Sequence, residues 1–155
     1  MKDEVIKFIS EVVKPWETLN RQLSAPFSMN PAINDFITTA SALTLAIKHL
    51  PEATLKIKPE ILAQESQSYE IISDLADSLK HGKLRNPDRE CKITVSSIFE
   101  RNQDAKVRFL RNGISIFHKT HKKIDFMECA MESAIFIATK LDIRSDWKPK
   151  IFNNC

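Results

Sequence analysis

Hydrophobic residues recur every three or four positions along four stretches of the chain, at about 3–24, 31–50, 59–82 and 125–141. This spacing predicts four amphipathic helices, each with one apolar face. Pro15 lies inside the first helix and is expected to kink it, with a break into two helices as the alternative. The apolar face of the first helix consists of Val5, Phe8, Ile9, Val12, Val13, Trp16, Leu19 and Leu23, and that of the second consists of Ile33, Phe36, Ile37, Ala40, Leu43, Leu45 and Ile47. The apolar face of the third helix consists of Leu62, Tyr69, Ile72, Leu75, Ala76 and Leu79, and that of the fourth consists of Phe126, Cys129, Ala130, Ala134, Ile137 and Leu141.

Proline and glycine predict where these helices begin and end. Asn30 followed by Pro31 favours a helix start, because asparagine caps free amides and a first-turn proline needs no donor. Pro51 is expected to end the second helix, and Pro59 to open the third. Gly82 is the expected C-terminal cap of the third helix. In the second helix, Thr38, Thr39, Ser41 and Thr44 form the expected polar face.

Between the third and fourth helices the pattern changes to one that is typical of strands. Residues 92–99 are β-branched and partly alternating, and the runs 107–110 and 114–117 flank Asn112-Gly113. Asn-Gly is a strong signal for a two-residue hairpin turn. The segment 91–119 is therefore predicted to form a β-hairpin or a three-stranded meander with a turn at Asn112-Gly113.

These elements predict a mainly α fold. We expect a four-helix bundle with the small β-hairpin or meander inserted between helices three and four. The chain has 155 residues, with only two glycines against seven prolines, which suits helices with sharp ends better than a sandwich or barrel. This length supports one core, so we expect a single domain over 1–155.

The sequence also bears on location. No run approaches the roughly 18 apolar residues needed to span a bilayer, and the start, Met-Lys-Asp-Glu, is unlike a signal peptide. The three cysteines, Cys91, Cys129 and Cys155, are far apart in the sequence and odd in number. Free thiols in a reducing compartment fit this pattern best, so we expect a soluble cytoplasmic protein with no membrane partner.

Positive charge is concentrated in one part of the chain. Residues 80–123 contain twelve Lys or Arg and four Asp or Glu, whereas the rest of the chain contains eleven and sixteen. Such a segment attracts phosphates or acidic protein surfaces. The residues expected to bind a partner are Lys83, Arg85, Arg108, Arg111, Lys119, Lys122 and Lys123.

Three phenylalanines in the same segment leave the type of partner open. Phe99, Phe109 and Phe117 could stack on the bases of RNA or DNA beside these cations. Alternatively, they form the inward face of the meander while the lysines cover its outer face. The sequence does not separate an acidic protein partner from a nucleic acid.

A polar cluster is predicted at the end of the third helix. Asp74, Asp77 and His81 are spaced by three and four residues and can share one helical face. Such a set could hold a cation or relay a proton. The competing interpretation is ordinary surface electrostatics, with a histidine at the negative end of a helix dipole.

Catalytic and metal-binding patterns are weak in this sequence. His118 and His121 could join Cys91 or Cys129 in a zinc site, but structural zinc sites use two closely spaced ligand pairs and lysines surround this one. With glycine only at 82 and 113, a phosphate-binding glycine loop is excluded. Basic neighbours could activate Cys91, yet the sequence positions no histidine beside it. We expect no metal and no cofactor, and a non-catalytic protein is favoured.

The order of elements resembles a known superfamily. Two long helices, a third ending Asp74-Leu75-Ala76-Asp77-Ser78-Leu79-Lys80-His81-Gly82, a β-hairpin and a closing helix resemble HEPN-like helical bundles and their degenerate bacterial and phage relatives. The resemblance implies a bundle scaffold. Active members are metal-independent ribonucleases of bacterial defence and toxin modules, usually dimeric, and inactive members are binding modules.

The catalytic pattern of that superfamily is an Arg, a polar residue beside it that is often Asn, and a His a few residues on. Arg111, Asn112 and His118 match this pattern, with six residues between Arg and His. In the superfamily the motif lies on a helix, whereas Asn112-Gly113 favours a hairpin here. Arg111 and His118 are then not expected to face one phosphate.

Three hypotheses follow from the sequence. The leading one is a non-catalytic interaction module that binds an acidic protein or nucleic acid through a basic hairpin surface, within a bacterial or phage defence assembly. The first alternative is a HEPN-type ribonuclease that uses Arg111 and His118. The second is a structural subunit that forms a homodimer through an apolar helix face.

Overall fold

The fold is mainly helical, with a small antiparallel sheet of three strands. The computed structural model describes residues 3–24, 32–101 and 108–143. For residues 97–101 and 108–111 it describes the backbone but not the side chains. The elements are α1 (Asp3–Phe8), a π-helical turn (Ile9–Val13), α2 (Lys14–Leu23), α3 (Ile33–Leu55), α4 (Pro59–Glu65), α5 (Gln67–His81), a 3₁₀ turn (Pro87–Arg89), β1 (Cys91–Arg101), β2 (Arg108–His118), β3 (Lys122–Asp125) and α6 (Phe126–Lys140). The predicted mainly α class with a small β element is thus confirmed.

The first predicted helix is continuous but irregular next to its proline. α1 passes through the π-helical turn directly into α2, and Pro15 lies in the first turn of α2. Proline has no amide hydrogen and crowds the preceding turn. π-Helical turns are rare, and they occur mostly as single-turn distortions inside α-helices. The predicted local distortion takes this form, and the chain keeps helical dihedrals across the junction.

The second helix extends past its predicted end. Pro51 lies inside α3, which continues to Leu55 and ends where Lys56 adopts a left-handed conformation with φ 59°. An interior proline costs a helix about 3 kcal/mol, but Leu50 and Pro51 are buried, and their packing offsets this cost. The prediction that Pro51 ends the helix was therefore wrong. The predicted start at Asn30-Pro31 lies outside the described residues.

Burial on α3 differs in part from the predicted apolar face. Ile33 and Leu45 are 50% and 38% exposed, although both were assigned to that face. Thr44, assigned to the polar face, is fully buried, and its Oγ1 donates to the carbonyl of Ala40 at 2.8 Å. This hydrogen bond satisfies the hydroxyl inside the core, which is why a threonine is tolerated there.

The third predicted helix is two helices. α4 ends at Glu65, and Ser66 caps α5 by accepting a hydrogen bond from the amide of Tyr69 at 3.2 Å. The predicted C-terminal cap is confirmed, since Gly82 follows α5 with φ 73° and its amide donates to Ser78 at 2.8 Å. Trp16 Nε1 donates to the carbonyl of Met127 at 2.9 Å and so joins α2 to α6.

The predicted turn at Asn112-Gly113 was wrong. Both residues lie inside β2, where Asn112 pairs with Ser97 and Gly113 with Ser96 of the antiparallel neighbour β1. The turn preference of Asn-Gly is a local property of the sequence. Pairing of β2 with β1 buries Ile114 in the core, and the free energy of this burial outweighs the turn preference. The connection between β1 and β2 lies outside the described residues.

The sheet ends later than predicted, because β3 adds a third strand up to Asp125. Side chains alternate between its two faces. The face toward the helices contains three buried residues, Ile114, Ile116 and His118, and three partly buried ones, Ile93, Val95 and Ile124. α5 and α3 pack against β1, and α6 and α2 against β2. Phe117 lies on the opposite face and is exposed.

Within the described ranges, no helix has both the length and the hydrophobicity needed to cross a membrane.

Candidate functional site

An ion network lies between the helices and the sheet. Asp74 on α5 is only 2% exposed, and its carboxylate accepts from Arg89 Nε at 2.7 Å and from His118 Nε2 at 2.8 Å. A carboxylate is expensive to bury unless it is hydrogen-bonded and paired with a positive charge. Arg89 supplies the charge, and His118 occupies the second oxygen.

Asp77, one turn further along α5, extends the network to α3. It accepts from Arg89 Nη2 at 2.7 Å and forms an ion pair with Lys48, which is nearly buried. Partial burial opposes ionisation of Asp77, but hydrogen bonds from Lys48 and Arg89 outweigh it and lower the pKa of the carboxyl. Two cations and two carboxylates thus balance each other, and we name Lys48, Asp74, Asp77, Arg89 and His118 the ion network.

His118 links this network to the turn between β2 and β3. Its Nδ1 accepts the backbone N–H groups of Thr120 and His121 at 3.1 and 3.2 Å, which places its hydrogen on Nε2, the atom that faces Asp74. The ring is 4% exposed, and both of its nitrogens are occupied. His118 therefore orients residues 119–121, and through them the start of β3.

The predicted polar cluster is assembled only in part. Asp74 and Asp77 do share a set of partners, whereas His81 is exposed and lies outside the ion network. The partners that sequence reasoning missed are Lys48 and Arg89. One feature of the sequence could have pointed to Lys48: it is a lysine next to Ile47 within a strongly apolar helix. A lysine in such a position is buried only when it is paired with an acid, so an ion pair could have been expected there.

A basic groove lies on the other side of His118. It is a cavity of about 650 Å³ lined by Gly82, Glu90, Cys91, Lys92, Phe117, His118, Lys119, Lys122 and Lys123. Its four lysines are exposed, and its one acid, Glu90, accepts a hydrogen bond from the amide of Leu84 at 3.0 Å. The basic groove therefore carries an excess of positive charge.

The sheet register arranges the centre of this groove. Phe117 in β2 pairs with Lys92 in β1 and with Lys123 in β3, so the three residues form a row across the sheet. Paired residues point to the same face, which here is the face away from the helices. Phe117 is 46% exposed, and Lys123 Nζ lies 6.0 Å from the centroid of its ring. An exposed aromatic ring thus lies between two lysines.

The predicted binding residues fall into three groups. Lys119, Lys122 and Lys123 all line the basic groove. Lys83 and Arg85 are exposed in the segment that follows Gly82, beside the groove. Arg108 and Arg111 lie in β2 toward the end remote from His118, and Phe99 and Phe109 lie beyond the described side chains. Lys92 was missed, because only the strand register reveals that it neighbours Phe117.

The ribonuclease alternative depends on Arg111 and His118. Both lie in β2, seven residues apart, which corresponds to about 23 Å of extended strand. His118 is also buried within the ion network. In one copy of the chain, the two residues therefore do not converge on one phosphate.

The two cysteines among the described residues are poor candidates for a catalytic nucleophile. Cys91 and Cys129 are free, as predicted, and both are buried. Burial, which a hydrogen bond from Ser78 opposes, raises the pKa of Cys91 to about 12. Burial also raises the pKa of Cys129 to about 12. Both thiols are protonated at neutral pH and so are poor nucleophiles.

The zinc alternative has little support in the described ranges. No group of three or more His, Cys, Asp or Glu residues there could hold a metal ion. The rings of His118 and His121 are close, with centroids 4.7 Å apart, but His118 uses both of its nitrogens in hydrogen bonds.

The chain matches no protein-family model, and comparison with curated proteins and with solved structures finds no match either. Its function therefore has to be argued from the geometry of the site.

Proposed function

We propose that this protein is a non-catalytic interaction module that binds an anionic partner, an acidic protein or a nucleic acid, through the basic groove. The observation that carries the proposal is that Lys92, Lys119, Lys122 and Lys123 line one cavity together with the exposed side chain of Phe117. None of these four lysines forms an ion pair within the described ranges. Their charge is thus available to a partner.

Burial and pairing elsewhere support a non-catalytic role. His118, which lines the groove, and its partner Asp74 are buried and have their polar atoms engaged with each other and with neighbours. A general acid or base needs a proton within reach of a substrate. In this proposal the ion network holds the groove in shape.

The proposed scaffold is the four-helix bundle expected from the sequence, formed by α2, α3, α5 and α6. Contacts between these helices support it, because α3 packs against α5 and α6 while α2 packs against α3 and α6. The sheet lies against this scaffold through its apolar face, which leaves the lysine-bearing face to a partner.

The proposal is tested by charge reversal. The triple variant Lys92→Glu, Lys119→Glu, Lys123→Glu is compared with a control, Lys7→Glu, Lys14→Glu, Lys58→Glu, which makes the same charge change at exposed positions in helices α1 and α2 and before α4. Binding to RNA, duplex DNA and polyglutamate is measured across a salt series in EDTA. We expect the groove variant alone to lose salt-sensitive binding while its thermal midpoint is preserved.

Two outcomes would contradict the proposal. The first is equal binding by both triple variants, which would place the binding surface elsewhere. The second is RNA cleavage in EDTA that disappears in His118→Ala, which would favour the ribonuclease alternative.

A further inference from the structure

We infer that the anionic partner of the basic groove is an unpaired strand of nucleic acid, with one base stacked on Phe117 and the flanking phosphates on Lys92 and Lys123. This inference rests on the proposed function and narrows it to one class of partner. The observation behind it is the Lys92–Phe117–Lys123 row that strand register creates on the outer face of the sheet.

The exposure of Phe117 is the first step of the argument. In β2, Ile114, Ile116 and His118 are buried against the helices, whereas Phe117 points to the opposite face and is 46% exposed. Phe117 lies in the central strand, near its end, and exposure of its large apolar ring to water is unfavourable. Aromatic side chains on a sheet surface do serve as platforms on which unpaired bases stack.

The neighbours of the ring leave room for a base. The next row on the same face is Thr94, Ser115 and Asp125, whose side chains are short. Asp125 Oδ2 accepts the amide of Glu128 at 2.9 Å, so this carboxylate caps α6. The ring therefore has small polar groups on one side, and a lysine on each neighbouring strand, where strands are about 4.8 Å apart.

Lys123 is positioned for a double role. Its Nζ lies 6.0 Å from the centroid of Phe117, at the outer limit of a cation–π contact. At that distance the ammonium group is held near the ring and stays available to a phosphate. Lys119, in the turn that His118 orients, and Lys122, the first residue of β3, extend the positive surface along the same cavity.

Other anionic partners use less of this geometry. An acidic peptide presents carboxylates that lysines alone would bind, and it has no planar ring for Phe117. A duplex keeps its bases stacked on each other, so only its phosphates would reach the groove. An unpaired strand uses both the ring and the lysines.

The test is a substitution series at Phe117, with affinity measured by fluorescence anisotropy for labelled oligouridine and oligothymidine. Phe117→Ala and Phe117→Leu are expected to weaken binding about tenfold, because stacking on an aromatic ring is lost in both. Phe117→Trp keeps a stacking surface and is expected to retain binding, with quenching of the new tryptophan by the oligonucleotide. The control is Ile61→Ala, which removes an equally exposed apolar side chain from α4 and should change nothing.

The lysines of the row provide a second measurement. Lys92→Gln with Lys123→Gln is expected to reduce the slope of log affinity against log salt by about 1.4, at roughly 0.7 per phosphate contact on a single strand. The control pair Lys7→Gln with Lys14→Gln should leave the slope unchanged. Polyglutamate and duplex of matched length are expected to bind more weakly than the single strands.

The outcomes distinguish this inference from the proposed function. If the lysine variants lose polyanion binding while Phe117→Ala and Phe117→Leu bind oligonucleotides within about twofold of the parent, the inference is overturned and the proposed function stands. A preference for polyglutamate or duplex over both single strands would also overturn it. If no polyanion binds at low salt, both fail.

Discussion

The ion network and the basic groove lie on either side of His118 and use charge in opposite ways. In the ion network, Lys48 and Arg89 face Asp74 and Asp77, and the charges cancel within hydrogen-bonding distance. In the basic groove the lysines have no such partners among the described residues and face solvent. Balanced buried charge orients elements of a fold, whereas unbalanced exposed charge is available for binding.

This difference teaches that the same types of residue are structural or functional according to where they lie. Arg89 and Lys92 are three residues apart in the most basic part of the chain. Arg89 is tied to two carboxylates on α5, while Lys92 extends from the sheet beside Phe117. Mutations in the two regions should therefore change different properties.

The largest effect is expected in the ion network. Asp74→Ala removes the acceptor of Arg89 Nε and of His118 Nε2, and it leaves a buried imidazole N–H without a partner. We expect a loss of about 3 kcal/mol in the free energy of unfolding, measured by urea denaturation. Asp35→Ala, at an exposed carboxylate, is the control. If Asp74→Ala loses no more free energy of unfolding than the control Asp35→Ala, the ion network contributes little to stability.

The acid sensitivity of the fold sharpens the same comparison. The pKa of Asp77 is lowered in the folded state from 3.8, so its ionised form stabilises the fold above that pH. This contribution disappears as the pH falls through the folded-state pKa. We expect Asp77→Asn to be less stable than the parent at neutral pH and to lose less further stability on acidification, as measured by unfolding at pH values from about 5 to 2. Parallel curves for the two proteins would contradict this assignment.

The smallest effect on stability is expected in the basic groove. Lys92→Gln with Lys123→Gln should change the free energy of unfolding by no more than about 0.5 kcal/mol, because both side chains are exposed. The same substitutions should weaken polyanion binding. A large loss of stability here, comparable with that of Asp74→Ala, would erase the distinction between the two regions. Thermal unfolding and anisotropy on one preparation provide both values.

Much of the helical framework was predictable from the sequence. Apolar spacing located the helices, and Gly82 ended α5 as expected because its positive φ suits a residue without a Cβ. The low helix propensity of proline predicted that the second helix ends at Pro51. The helix continues to Leu55 because the side chain of Pro51 is buried in the core. The turn predicted at Asn112-Gly113 was wrong for a similar reason, because strand pairing with β1 outweighs the local turn propensity of these two residues.

The two charged regions were predictable only in outline. The excess of lysine and arginine in 80–123 indicated a basic surface, and Asp74 and Asp77 were expected to act together. Asp74 pairs with Arg89 and His118, which are 15 and 44 residues away in the chain. Asp77 pairs with Arg89 and Lys48, which are 12 and 29 residues away, so no spacing rule could find these partners. The pairing of Phe117 with Lys92 likewise depends on a register between strands.

By itself the sequence determined which stretches of the chain are helical, the end of α5 at Gly82 and the concentration of positive charge, because periodicity, capping and charge are local properties of the chain. Tertiary structure alone decided which charges are neutralised and which remain exposed. Folding brings α3, α5 and β2 together around Asp74 and Asp77, and the register of three strands sets Phe117 between Lys92 and Lys123. Both arrangements join residues that are distant in the chain, and only packing and strand pairing can specify such contacts.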